Sequence, residues 1–197
     1  SAAQQPENWR VTSTDDQNFG SSGQQPIAVY RKSKPCNADY YWNVRLDHWL
    51  YLKLPRPLQQ GSHYQLEIDA STQLEVSHIR FNYDIFTNAS EAVHASLLGY
   101  STNSVSKPAD LYHWLGDGGP RDYSEYEGKQ VYLYDLERLT AVPVGNVRFW
   151  KPNLLEECSR SLTGSSVWTC DFDSINKPGR YRLAIEGVGS SQPFTLG

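Results

Sequence analysis

The sequence lacks most of the features that mark chemistry. Its 197 residues include no methionine and only three cysteines, Cys36, Cys158 and Cys170. No CxxC pair and no Cys/His cluster at zinc spacing occurs, so neither a structural metal nor any cofactor is expected. The histidines (His48, His63, His78, His94 and His113) stand singly, without an HExxH or HxH pattern, which makes packing the expected role of each. No GxSxG elbow is present. Gly187-Val188-Gly189 has no helix after it to cradle a phosphate. Basic residues are not in excess: 18 Lys and Arg stand against 22 Asp and Glu, a net charge of −4. That excludes the basic stripe a nucleic acid needs. No apolar run approaches the ~18 residues of a membrane-spanning helix. Helix signals are thin as well, since LYDLERLTAV and PNLLEECSR each support one turn at most.

Aromatic residues and a period of two are what the chain has. Aromatics make up 13%, with 13 Tyr and 6 Trp against 6 Phe. In HWLYLKLP, His48, Leu50, Leu52 and Leu54 share one face, while Trp49, Tyr51 and Lys53 take the other. HYQLEID sends Tyr64, Leu66 and Ile68 inward and Gln65, Glu67 and Asp69 outward. Ile79, Phe81, Tyr83 and Ile85 alternate in the same way with Arg80, Asn82 and Asp84. KQVYLYDL, VGNVRFW, SSVWTCDF and RYRLAIEGV repeat the pattern, which fits half-buried strands. Pro55, Pro57 and Gly61, then Gly128, then Pro178-Gly179, punctuate these runs as turns. Strands without crossover helices cannot form a parallel sheet. The expected fold is all-β, with two antiparallel β-sandwich domains, residues 1–89 and 90–197, and a seam in the polar stretch Thr87-Asn88-Ala89-Ser90.

Cys158 and Cys170 flank a Ser/Thr/Gly-rich stretch between two strand-like runs. A disulfide between them is expected, worth about 3 kcal/mol in the loop-entropy model. Cys36 is then left over. The start at Ser1-Ala2-Ala3-Gln4-Gln5 and the missing methionine point to a trimmed chain, and with the expected bridge to an exported one, secreted or periplasmic. Asn88-Ala89-Ser90 is a glycosylation sequon, meaningful only in a eukaryotic secretory host.

Carboxylate pairs are plentiful (Asp117 and Asp122, Glu125 and Glu127, Asp171 and Asp173), but they sit in loop-like sequence where solvation is the default. No motif places two of them across a cleft, as glycoside hydrolysis requires. No catalytic residue is nominated. The least ordinary stretch is HWLGDGGPRDYSEYEG, residues 113–128. Three roles are open to it: covering its own core edge, presenting Trp114, Tyr123 and Tyr126 to sugar rings, or holding calcium through Asp117, Asp122 and Glu125 without the EF-hand pattern. In the first half, Trp9, Tyr40, Tyr41, Trp42, Trp49 and Tyr51 suit either a core or carbohydrate stacking. The candidate carbohydrate-binding residues are therefore Trp42, Trp49, Tyr51, Trp114, Tyr123 and Tyr126.

Three stretches of the second half carry a resemblance. They are AVHASLLGYSTNSVSKPADL (92–111), KQVYLYDLERLTAVPVGNV (129–147) and VWTCDFDSINKPGRYRLAIEGVGSSQPFTL (167–196). The last joins an aromatic-flanked Asp, Pro-Gly-x-Tyr, Gly-x-Gly-Ser-Ser and Pro-Phe in order. Residues 90–197 resemble the immunoglobulin-like domain that precedes the catalytic barrel in family-9 glycoside hydrolases. The family's usual Asn-Gln of the first strand is replaced here by Ser96-Leu97, the loop at 113–128 is enlarged, and the catalytic Asp-Ala-Gly-Asp motif is absent. No catalytic residue carries over. The resemblance implies an immunoglobulin-like second domain and a non-catalytic accessory region of an exported glycoside hydrolase. Its partners would be a polysaccharide or oligosaccharide and a catalytic domain in cis, with no nucleic acid and no membrane. The alternatives are a stand-alone carbohydrate-binding or adhesion module, and a small β-sandwich glycan hydrolase or lyase.

Overall fold

The computed structural model describes residues 1–197 except Trp42 and residues 156–159. Strand accounts for 40% and helix for 8%, and the helical residues are all short 3-10 turns such as Ala70–Thr72. Every ladder is antiparallel. Parallel pairing occurs only as isolated bridges, Ala89 with Ser190 and Tyr100 with Leu196, among the described residues. This is the all-β antiparallel architecture that the period-two runs require.

The chain divides into two units. The first comprises Ser1–Tyr83 and Leu115–Gly119, the second Asp84–Trp114 and Pro120–Gly197. The stretch Thr87–Ser90, expected as a seam, is part of the second unit. There Ser90 donates its N–H to the Ser190 carbonyl (2.7 Å) and Ser190 donates to that of Asn88 (3.0 Å).

In unit 1, β1 (Trp9–Thr12), β4 (His63–Ile68) and β5 (His78–Asn82) form a sheet in the order β1-β4-β5. Between β1 and β4 in the chain, β2 (Ala28–Ala38) and β3 (Val44–Lys53) pair as a long hairpin. Two small cores hold the unit. Trp9, Val29 and Ile68 meet Leu50, Leu52 and Leu66, while Val11, Phe19 and Tyr64 meet Leu54, Leu58 and Phe81. The inward set of β4 is therefore the one the alternation assigns. Of the two faces of β3, the one with Leu50, Leu52 and Leu54 meets the cores, and His48 at its far end is exposed. Ile79 is the exception, 46% exposed.

Unit 2 contains β6 (Val93–His94), β7 (Asp110–Leu111), β8 (Gln130–Asp135), β9 (Thr140–Asn146), β10 (Arg148–Lys151), β11 (Val167–Thr169), β12 (Gly179–Ile185), β13 (Gly189–Ser190) and β14 (Phe194–Leu196). One sheet runs β10-β11-β7-β6. The other runs β13-β12-β8-β9, with β14 also pairing β12. A single core draws on both: Val93, Leu111 and Trp168 from the first, Val131, Leu133, Leu183, Ile185 and Phe194 from the second. Strand orders β10-β11-β7-β6 and β14-β12-β8-β9 are those of the D-E-B-A and G-F-C-C′ sheets of immunoglobulin-like domains. Tyr181, near the start of β12, donates its hydroxyl to the Lys177 carbonyl (3.1 Å), the tyrosine-corner arrangement of such domains.

The expected Cys158–Cys170 bridge is not shown, and no disulfide occurs among the described residues. Cys170 is a free, fully buried thiol in the unit 2 core, and burial holds its pKa well above the ordinary value. Cys158 lies outside the described residues. Spacing along the chain could not show that the Cys170 side chain faces the core.

Candidate functional site

The β2–β3 hairpin gathers the first half's candidate residues. Its turn is organised by Asp39, whose Oδ1 accepts from the N–H groups of Tyr41 (2.8 Å) and Asn43 (2.9 Å) and whose Oδ2 accepts from Asn43 Nδ2 (2.8 Å). The Asn43 side chain, then its backbone, holds the Asp39 carboxyl below its ordinary pKa. A register shift between Pro35 and Asn37 interrupts the ladder, at a residue with no N–H to give it.

Register decides the faces. Val29 pairs with Leu52, and both belong to the core cluster with Leu50. The neighbouring pairs, Tyr30 with Tyr51, Lys32 with Trp49 and Lys34 with Asp47, consequently share the outward face. Trp49 and Tyr51 lie about 7 Å apart along one strand, and each carries a lysine. Lys34 Nζ is 4.3 Å from the Trp49 ring centroid and Lys32 Nζ 5.9 Å from that of Tyr51. Cations over ring faces keep these aromatics half-buried without adding them to the core. At the tip, Tyr40 and Tyr41 are 93% and 81% exposed and meet edge to face at 5.6 Å. Trp42 lies outside the described residues. Cys36, on the distal part of β2, is an exposed free thiol in contact with the Arg45 carbonyl (3.4 Å).

The 113–128 loop is divided between structural roles. Leu115–Gly119 belongs to unit 1. Asp117 Oδ1 accepts the Arg31 N–H (2.7 Å) and its Oδ2 accepts Gln4 Nε2 (2.7 Å), so this carboxylate closes a free edge of β2. Gly116 and Gly118 permit the approach, because a Cβ on Gly116 would lie 2.1 Å from the Arg31 carbonyl oxygen and one on Gly118 2.4 Å from the Tyr30 ring. Asp122 is spent on the N–H and hydroxyl of Ser124 (both 2.9 Å). Two of the three side chains considered for calcium thus serve local structure, while the third, Glu125, is exposed. No group of three or more His, Cys, Asp or Glu converges as metal ligands among the described residues.

Of the loop's aromatics, Tyr123 is a core residue, 1% exposed, lodged edge-on against Trp168 and Tyr126 at 6.0 and 5.5 Å. Burial pushes its phenol up to about 12. It offers no platform to a sugar. Tyr126 packs half-buried against the same core, and its hydroxyl accepts from Arg121 Nη2 (3.0 Å). Trp114 is 47% exposed and lies across unit 2's Gly164. The structure therefore keeps Trp49 and Tyr51 together, assigns Trp114 to the other unit, and removes Tyr123.

Two aromatic or polar groupings escaped the sequence reading. Phe86 stacks on Tyr134 at 5.2 Å and meets Tyr132 edge-on at 5.7 Å. The alternation of β8 points both tyrosines outward, but nothing local announces that Phe86 covers them. Ser13, Asp15 and His63 also converge. Ser13 Oγ donates to Asp15 Oδ1 (2.8 Å), and Asp15 Oδ2 meets His63 Nδ1 (2.9 Å). The carboxylate sits between the other two, whereas a nucleophilic triad needs the imidazole between serine and acid. This is a loop clasp.

No protein-family model matches the chain, and no curated protein matches it.

Proposed function

We propose that the chain is a non-catalytic accessory region of an exported carbohydrate-active enzyme, with unit 1 contacting polysaccharide through the outward face of the β2–β3 hairpin. The observation that carries this reading is the placement of Trp49 and Tyr51, both half-buried, side by side on the face of the hairpin opposite its core residues, each flanked by a lysine. Half-open rings with polar neighbours suit a pyranose, which needs a flat apolar surface and hydrogen-bonding groups at its rim. Unit 2 supports an immunoglobulin-like spacer role through its strand order and tyrosine corner, in line with the family-9 glycoside hydrolase resemblance of residues 90–197. The exposed pair Tyr40 and Tyr41 at the hairpin tip favours a second reading, a stand-alone binding or adhesion module that uses the same hairpin.

Titration of the chain with soluble neutral polysaccharides tests the reading. Binding should be weak and nearly independent of salt, because a neutral ligand releases few counterions. Trp49→Ala should weaken it roughly tenfold, the value of one aromatic contact of about 1.4 kcal/mol, with the melting temperature kept. Wild-type protein that binds no glycan of the panel removes the proposal. Sustained release of reducing sugar, abolished by one carboxylate substitution, would replace it with the small-hydrolase reading.

A further inference from the structure

The outward face of the β1–β4–β5 sheet carries a second feature, an open depression of about 640 Å³ within unit 1. That size is in the range of small-ligand pockets. Its floor follows from register. Thr12 pairs with Gln65, Gln65 with Arg80, and His63 with Asn82, so these side chains share one face, and Glu67 extends the same row along β4. Tyr64 and Phe81 point the other way, stacked in the core at 5.5 Å. The depression thus presents amides, a hydroxyl and charged forks, and Tyr64 and Phe81 also contribute to its lining.

Its polar groups are pre-set. Arg80 donates Nε to Gln65 Oε1 (2.9 Å), which fixes the guanidinium plane and leaves the two Nη groups for another acceptor. His63 is oriented by Asp15, which takes both its Nδ1 (2.9 Å) and its backbone N–H (3.0 Å). Its ring is left with one free edge. His63 and Arg80 are diagonal neighbours, about 7–8 Å apart on an antiparallel pair. Charges on this face balance, with Arg80 and Arg10, the register partner of Glu67, against Glu67 and Asp15.

We infer that this depression is a second saccharide site, taking one or two units of a neutral sugar chain by hydrogen bonding in place of stacking. An anion would find no net positive charge. A polyhydroxylated ring needs closely spaced donors and acceptors, and planar forks such as guanidinium, carboxylate and amide each span two adjacent hydroxyls. The inference rests on the glycan-binding reading but uses a different face from Trp49 and Tyr51.

Amide-resolved NMR of the full chain, titrated with a panel of neutral oligosaccharides of two to six units, tests it. Shifts should appear in residues 12–14, 63–67 and 80–82, and should persist in Trp49→Ala. Arg80→Ala and, separately, Glu67→Gln should weaken that response at least tenfold with the fold intact, since both side chains point away from the core. Shifts confined to residues 32–34 and 49–51 overturn the second site and leave the hairpin proposal standing. Shifts at neither face overturn both. A response only to uronic-acid oligomers, abolished by high salt, overturns the neutral ligand.

Discussion

Asp15 is the most strongly shifted acid of unit 1, its carboxyl held down to about 2 by the hydrogen bond from His63 and then by that from Ser13. A carboxyl lower in the folded than in the unfolded chain stabilises the fold above the unfolded value of roughly 4. That contribution disappears as the pH falls from about 4 towards 2. Asp15→Asn should therefore melt below wild type at neutral pH and converge with it across that acid window. Melting curves recorded against pH decide the matter, and a constant gap down to pH ~2 contradicts it. Tyr123 has the opposite sign. Its phenol is raised to about 12 by burial, so its contribution is complete below about pH 10 and is lost as the pH rises towards 12. Tyr64 is raised to about 12 as well, by burial and by its hydrogen bond to Asp16. Ultraviolet titration should therefore show at least two tyrosines ionising late or only with unfolding, and Tyr123→Phe should reduce the amplitude of that late step without abolishing it.

Among elements, β2 depends on residues far from it in the chain. Its edge N–H at Arg31 is satisfied by Asp117, and edges left open invite wrong pairing. Gly116→Ala should cost several kcal/mol, because φ is +78° and the new Cβ meets backbone at 2.1 Å. Gly119→Ala should cost less, about 1–3 kcal/mol, since φ +68° with ψ −158° is backbone that only glycine adopts readily but nothing lies within 4 Å. Chemical denaturation of the two variants measures the difference, and equal losses would show that the loop does not seat on β2. Asp117 also shows why an acid in a glycine-rich loop reads ambiguously. Its residue type fits calcium, solvent and a strand edge equally, and only the position of Arg31 and Gln4 chooses among them.

At the scale of the whole molecule, the two units are unequally consolidated. Unit 2 has one continuous core drawing on both of its sheets, while unit 1 divides its buried residues between two small clusters. Each large apolar side chain fully buried contributes about 1.5–3 kcal/mol, so protection should follow the larger core. Hydrogen exchange should be slowest in β8 and β12 and markedly faster in β2 and β3, whose distal residues are exposed on both faces. Equal protection in β3 and β12 would overturn that ranking.

The sequence by itself determined the all-β antiparallel class and which side chains of β3, β4 and β8 share a face. Alternation is a local property: a pleated strand sends successive side chains to opposite faces whatever else the chain does. For the same reason Trp49 and Tyr51 were legible as sharing one face, opposite Leu50 and Leu52, but which of the two faces is the core was left open. Tertiary structure alone decided which remaining aromatics are core. Tyr123 and Tyr40 have the same side chain in similarly polar sequence, yet one is 1% and the other 93% exposed, because Trp168 lies 45 residues from Tyr123 in the chain and still meets its ring. Tertiary structure likewise turned Cys170 into the unit 2 core and gave Asp117 to the edge of β2. Burial and hydrogen-bond partnership are set by residues distant in sequence, and no local pattern encodes them.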